Sequence, residues 1–142
     1  DGIPDIAAVT TNDQCIVLLS SQGFATANTY NSSRASKAIT LADVNRDSVL
    51  DLVLGWGAYT NPLTAGVVAY FGSEGALFDS SPVELISLPN PAVVAFPAFV
   101  TVMGMDGNSW PRIIVQSPSQ FGIRFYQKNG TPWGYALMQS LD

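Results

Sequence analysis

The 142 residues carry 47% hydrophobic and only 12% charged side chains, a net charge of −5, no His and a single Cys. That is enough apolar material for one core of ordinary size, and the low share of charge, about half the usual one, leaves Ser, Thr, Asn and Gln to make the polar surface. The composition offers no basic patch for nucleic acid or anionic lipid, and it lacks the usual zinc ligands, an imidazole base and any internal disulfide.

The chain opens on Asp1-Gly-Ile-Pro-Asp-Ile-Ala-Ala-Val9, which matches the later run Asp47-Ser-Val-Leu-Asp-Leu-Val-Leu54, with Asp1 on Asp47 and Asp5 on Asp51. It is therefore expected to begin inside a motif, as a slice of a longer polypeptide. Apolar runs at 5–10, 15–20 and 24–30, separated by Thr-Asn-Asp and Ser-Ser-Gln-Gly, predict three strands. Cys15 lies in Cys15-Ile-Val-Leu-Leu, apolar on both faces, so a buried thiol is expected; pairing with a segment outside the chain is the alternative. Asn31-Ser-Ser33 is a glycosylation sequon on the following loop.

Four more strands are predicted at 37–43, 51–56, 65–71 and 82–88, and another four at 93–105, 112–116, 121–127 and 133–141. Pro97 implies a bulge or break in the first of the last group. Asn129-Gly-Thr131 is a second sequon, on a predicted hairpin turn. Apolar runs of about five to seven residues, punctuated by Gly, Pro and Asn, leave no room for a helix of ordinary length. The fold class is all-β. The longest apolar run, 91–105, is shorter than the ~20 residues of a membrane span.

Between the strands at 37–43 and 51–56 lies Asp43-Val-Asn-Arg-Asp-Ser-Val-Leu-Asp51. Asp43, Asn45, Asp47 and Asp51 supply side-chain oxygens at the first, third, fifth and ninth places, and the Val49 carbonyl can serve from the seventh. So many hard oxygen donors point to calcium, which takes about six to eight of them in a tolerant geometry. An EF-hand is excluded, because the twelfth position is Leu54 rather than a bidentate Glu and the flanks have strand character. A dockerin-type loop is excluded because Gly55 and Gly57 stand where a helix should run. The competing reading of the same Asp residues is a set of Asx turns without metal. By the same register Asp1, Ile3 and Asp5 form the back half of a second, partial site. A third copy, Gly104-Met-Asp-Gly-Asn-Ser-Trp-Pro-Arg112, has Gly104 in place of Asp43 and Arg112 in place of Asp51, so no metal is expected there. Arg112 either pairs with Asp106 as a substitute for the ion or faces solvent.

The loop followed by Leu52-Val-Leu-Gly55 resembles that of FG-GAP or VCBS repeats, the blades of integrin-α-type β-propellers. The resemblance extends to three strand–turn–aromatic segments, Val17 to Phe24, Val68 to Phe78 and Ile123 to Trp133. It implies four-stranded antiparallel blades, here an incomplete slice of about two and three-quarter blades: 1–36 a partial blade, 37–91 a complete blade with the calcium loop, and 92–142 a blade with a degenerate loop. The family usually has Gly where Ser48 stands, and a left-handed Ser there costs about 1–2 kcal/mol.

With no catalytic constellation in the sequence, the expected function is a non-enzymatic extracellular or cell-surface module for adhesion or structural assembly. Its cofactor is calcium. Its partners are other blades of the same chain, other subunits, or extracellular protein or glycan ligands. Three rivals remain open. One is a carbohydrate-binding propeller, using the faces of Trp56, Tyr59, Trp110, Trp133 and Tyr135. Another is a non-catalytic segment of a large secreted enzyme, and the third is a building block of an extracellular filament.

Overall fold

The computed structural model describes residues 4–10, 12, 14–30, 35–57, 65–73, 76–88, 99–104, 110–117 and 120–141. It is all-β, with every strand pair antiparallel. The first sheet takes β1 (Ile6–Val9), β2 (Cys15–Leu18) and β3 (Ala27–Tyr30) in chain order. Next come β4 (Ala35–Ala42), β5 (Asp51–Gly57) and β6 (Ala65–Tyr70), then a two-stranded ribbon of β7 (Gly72–Ser73) and β8 (Ala76–Phe78), then β9 (Val83–Leu88). Strands β4, β5, β6 and β9 form the second sheet in that order. The third sheet is β10 (Phe99–Met103), β11 (Arg112–Ser117), β12 (Gln120–Lys128) and β13 (Tyr135–Leu141).

The second sheet is the middle layer. Every residue of β5 and β6 is buried. Because side chains alternate along a strand, a strand covered on both faces must be apolar at successive positions, as Leu52-Val53-Leu54 and Val67-Val68-Ala69-Tyr70 are. Leu52, Leu54, Trp56, Val68 and Tyr70 face the first sheet and pack with Cys15, Val17 and Tyr30. Val53, Val67 and Ala69 face the third sheet and pack with Val100, Ile113, Val115, Tyr126 and Tyr135. The pairing enforces this division, since Leu52 stands opposite Tyr70 and Val53 opposite Ala69. The sheets approach through their first strands, β4 lying beside both β1 and β10. Among the described residues they do not close into a ring.

Two local features depart from the sequence reading. The strand expected from residue 24 begins at Ala27, because the chain after β2 makes a 3-10 turn over Ser20–Gln22. Gly23 and Phe24 then both take left-handed conformations, with φ of 61° and 60°. The ribbon β7–β8 was not expected; it interrupts what the pattern suggests is a plain turn before β9. Of the strand expected over 93–105, Phe99–Met103 is observed, while 93–98 and Pro97 with them lie outside the described residues. Cys15 is a free, fully buried thiol whose pKa burial pushes up to about 11.

The double-sided burial gives a direct test. Leu54→Ala should cost about 2–5 kcal/mol in urea unfolding, because the hole opens between two sheets with little freedom to collapse. Leu50→Ala, at a side chain 57% exposed, should stay within about 0.5 kcal/mol. Equal effects would mean that the middle layer is not packed as described.

Candidate metal centre

The loop between β4 and β5 is closed by its own carboxylates. Asp43 Oδ1 accepts the backbone N–H groups of Arg46 (2.5 Å) and Asp47 (3.2 Å), and Oδ2 accepts that of Ser48 (2.9 Å). Asn45 Oδ1 accepts the Asp47 N–H at 3.0 Å while its Nδ2 donates to Asp47 Oδ2 at 2.7 Å. Asp47 Oδ1 accepts the Val49 N–H at 2.8 Å. To make these turns the backbone is left-handed at Arg46 (φ 68°) and Ser48 (φ 72°), a conformation that strains any residue with a Cβ. The loop therefore gathers Asp43, Asn45 and Asp47 on one short, partly exposed arc, with oxygen as the only acceptor element. These are Asx-type closures, which hold the loop without an ion as well. Among the described residues no group of three or more His, Cys, Asp or Glu side chains converges as a metal cluster.

Asp51 is different in kind. It is fully buried, its Oδ2 accepting the Val44 N–H at 2.8 Å and its Oδ1 the Gly72 N–H at 3.0 Å. One carboxylate thus ties the loop's start to the turn after β6. Burial raises its pKa above the usual carboxylate range, and the two amide bonds only partly oppose that. The close approach requires glycine at 72, where a Cβ would overlap the Leu50 carbonyl oxygen.

Asp5 repeats the arrangement. Leu18 stands opposite Ile6 as Tyr70 stands opposite Leu52, so Ser20 and Gly72 occupy matching places two residues further on. Asp5 Oδ1 accepts the Ser20 N–H at 2.9 Å and the Ser20 hydroxyl at 3.0 Å. Unlike Asp51 it is exposed, at the rim of an apolar cavity of about 180 Å³ between β1, Leu41, Leu50 and the β8 aromatic Phe78. Its predicted companions Asp1 and Ile3 lie outside the described residues, as do Asn31, Tyr59 and Asp106. The pairing of Asp106 with Arg112 is thus outside them too; Arg112 itself opens β11 opposite Met103. Asn129 is exposed on the β12–β13 turn, its Oδ1 accepting the Thr131 N–H (3.1 Å) and hydroxyl (2.7 Å).

Two groups beside the loop were not singled out as its neighbours from sequence. Tyr135, on β13, is buried and its hydroxyl donates to the Val44 carbonyl at 3.5 Å; burial first, and then the Asp51 charge, push its pKa up to about 12. Lys128 places its ammonium over the rings of Trp110, Trp133 and Tyr135. Phe71 packs on Trp133 with ring centroids 4.7 Å apart, and the Arg46 guanidinium lies 5.8 Å from the Trp110 ring. The signal for both was the strand register, which pairs Lys128 with Tyr135 at the end of the β12–β13 hairpin. Of the aromatics proposed as sugar-binding faces, Trp56 and Tyr135 are buried and unsuited to that role, because both are consumed in the core.

With chelator present, Asp51→Ala should destabilise the chain by at least about 2 kcal/mol, since it strands two buried N–H groups. Asp5→Ala, at an exposed site, should cost under about 1 kcal/mol. Urea midpoints decide, and equal losses would remove the distinction between the two hairpins. Ser48→Gly should raise stability by about 0.5–1 kcal/mol, the relief of left-handed strain outweighing the added chain entropy. A loss in the same assay would show that the loop carries no strain there.

Compared with known proteins, the chain matches no family model, no curated protein and no solved structure.

Proposed function

We propose that the chain is a non-enzymatic calcium-binding repeat module of an extracellular or cell-surface protein, built of four-stranded propeller blades and serving adhesion or structural assembly. The observation that carries this reading is the loop 43–51. Asp43, Asn45 and Asp47 bring oxygen donors onto one arc, and Asp51 anchors its base. The donor set fits a hard cation: it contains no sulfur or imidazole, and each Asp51 oxygen that accepts an amide retains a second lone pair. Asp43, Asn45, Asp47, the Val49 carbonyl and Asp51 would hold the ion, which would offset the repulsion among carboxylates and pin the β4–β5 hairpin.

The blade reading is supported by three sheets whose strands follow chain order at the edges nearest one another, with the first strands gathered side by side. The outer face of the third sheet supports partners of the same kind, since Phe99, Met103, Ile123 and Leu141 share it and are exposed. Further blades of a longer chain or other subunits would cover it. The non-enzymatic reading rests on composition, with no His in the sequence and the one thiol buried and hard to ionise. No helix among the described residues is long and apolar enough to cross a membrane. The carbohydrate-binding alternative keeps one observation in its favour: Trp110 and Trp133 remain 38% and 39% exposed.

Thermal unfolding of the full chain in calcium, in magnesium and in chelator tests the proposal. An ion bound only by the folded state adds about 2.7 kcal/mol at 100 times its dissociation constant. The expected result is a rise in Tm with calcium that Asp47→Ala abolishes. No calcium dependence in the wild type would leave the Asx-turn reading in possession of the loop.

A further inference from the structure

The third sheet has no carboxylate where the other two hairpins have Asp5 and Asp51. Ile113 stands opposite Tyr126 as Leu52 stands opposite Tyr70, so Arg112 takes the place of Asp51 and Lys128 the place of Gly72. The Lys128 side chain turns into a box of electron-rich groups. Its ammonium lies 4.9 Å from the centre of the Trp110 ring, 5.4 Å from Trp133 and 5.8 Å from Tyr135, and it donates a hydrogen bond to the Pro132 carbonyl oxygen. These groups come from the segment before β11, from the β12–β13 turn and from β13 itself. Separate pieces of chain thus meet at one charge.

We propose that Lys128 is the built-in cation of the third sheet, a tethered ammonium that fastens Trp110, just before β11, to the β12–β13 turn where no metal ion is needed. The chemistry is that of a cation on ring quadrupoles, and the interaction strengthens as the ammonium leaves water. A lysine suits the position because its charge is compact, whereas a guanidinium would have to stack on one ring and leave the others. The box also joins the neighbouring sheet: Trp133 rests on Phe71, and the Tyr135 hydroxyl reaches Val44. The two readings of Arg112, paired with Asp106 or facing solvent, are independent of this assignment to Lys128. None of this rests on calcium occupying loop 43–51.

The test is a double-mutant cycle on the full chain, by urea unfolding in chelator. Lys128→Met keeps the apolar stem and removes the charge, and Trp110→Leu removes one ring. The expected result is that each lowers stability and that the pair together loses less than the sum of the two, with a coupling of about 2-fold to 30-fold in the unfolding equilibrium. A measurement on the wild type needs no variant: the ε-methylene protons of Lys128 should resonate far upfield from ring currents. Additive losses, a Lys128→Met chain as stable as the wild type, or an unshifted ε-methylene resonance would each overturn the proposal.

Discussion

A single buried carboxylate organises the middle of this molecule. Asp51 has no exposure to solvent, and it is held there by the backbone N–H groups of Val44 and Gly72. A charge in that setting is unfavourable unless its lone pairs are used. Its placement therefore fixes both partners: the first residue inside the loop must turn back on the strand that leaves it, and the turn after β6 must come close enough that only glycine fits. Two hairpin ends are registered by one side chain. Val44, held this way, enters the core between the second and third sheets, so the loop geometry passes directly into packing.

The second constraint is that β5 and β6 have no solvent face. A sheet with one solvent face can alternate apolar and polar residues, so that a one-residue slip would turn its apolar set to water. In a strand covered on both sides the rule is that a polar side chain needs a partner, a rule the buried Tyr70 hydroxyl breaks. The one buried acid at the end of β5 obeys this rule through its two amides. Gly66 shows the same pressure from the other direction, because a Cβ there would overlap the Ile86 carbonyl oxygen and touch the Trp56 ring. The neighbouring backbone and the indole leave no room there, and the chain accommodates them by omitting a side chain.

Much of the fold was legible because the signals were local. The runs at 51–56 and 65–71 are apolar at nearly every position, and both became fully buried strands. Turn-forming residues marked the ends of β1, β2, β11 and β12 to within about two residues. What escaped was non-local or conformational. Nothing in Gly23-Phe24 announces two successive left-handed residues, since Phe rarely adopts that conformation. The partner of Asp51 could not be read from the loop, because Gly72 is a main-chain donor brought in by the pairing of β5 with β6. Lys128 was hidden for a similar reason. Its ring partners are spread between 110 and 135, and only strand register assembles them. Conversely, counting Trp56 and Tyr135 as surface aromatics failed because proximity to a predicted loop says nothing about which face of the strand a ring occupies.

The three hairpins together explain why the loops can differ while the sheets stay alike. In each, the start of one strand must be tied to the segment that follows the strand paired with it, and the strand pairing delivers the two segments to the same place. The tie itself is free to vary. In the first hairpin an exposed aspartate takes both an amide and a hydroxyl from Ser20; in the second a buried aspartate takes two amides; in the third the residue delivered is a lysine that gathers aromatic rings. The buried version is the one whose charge is least comfortable, because the donors around it are dipoles rather than a counter-ion, and its raised pKa expresses that imbalance. A cation in the adjoining loop would reverse it, since ligation requires the ionised carboxylate and favours it in return. The hairpin that buries its acid most deeply is therefore also the one with most to gain from a divalent ion, and it is the one whose loop carries Asp43, Asn45 and Asp47.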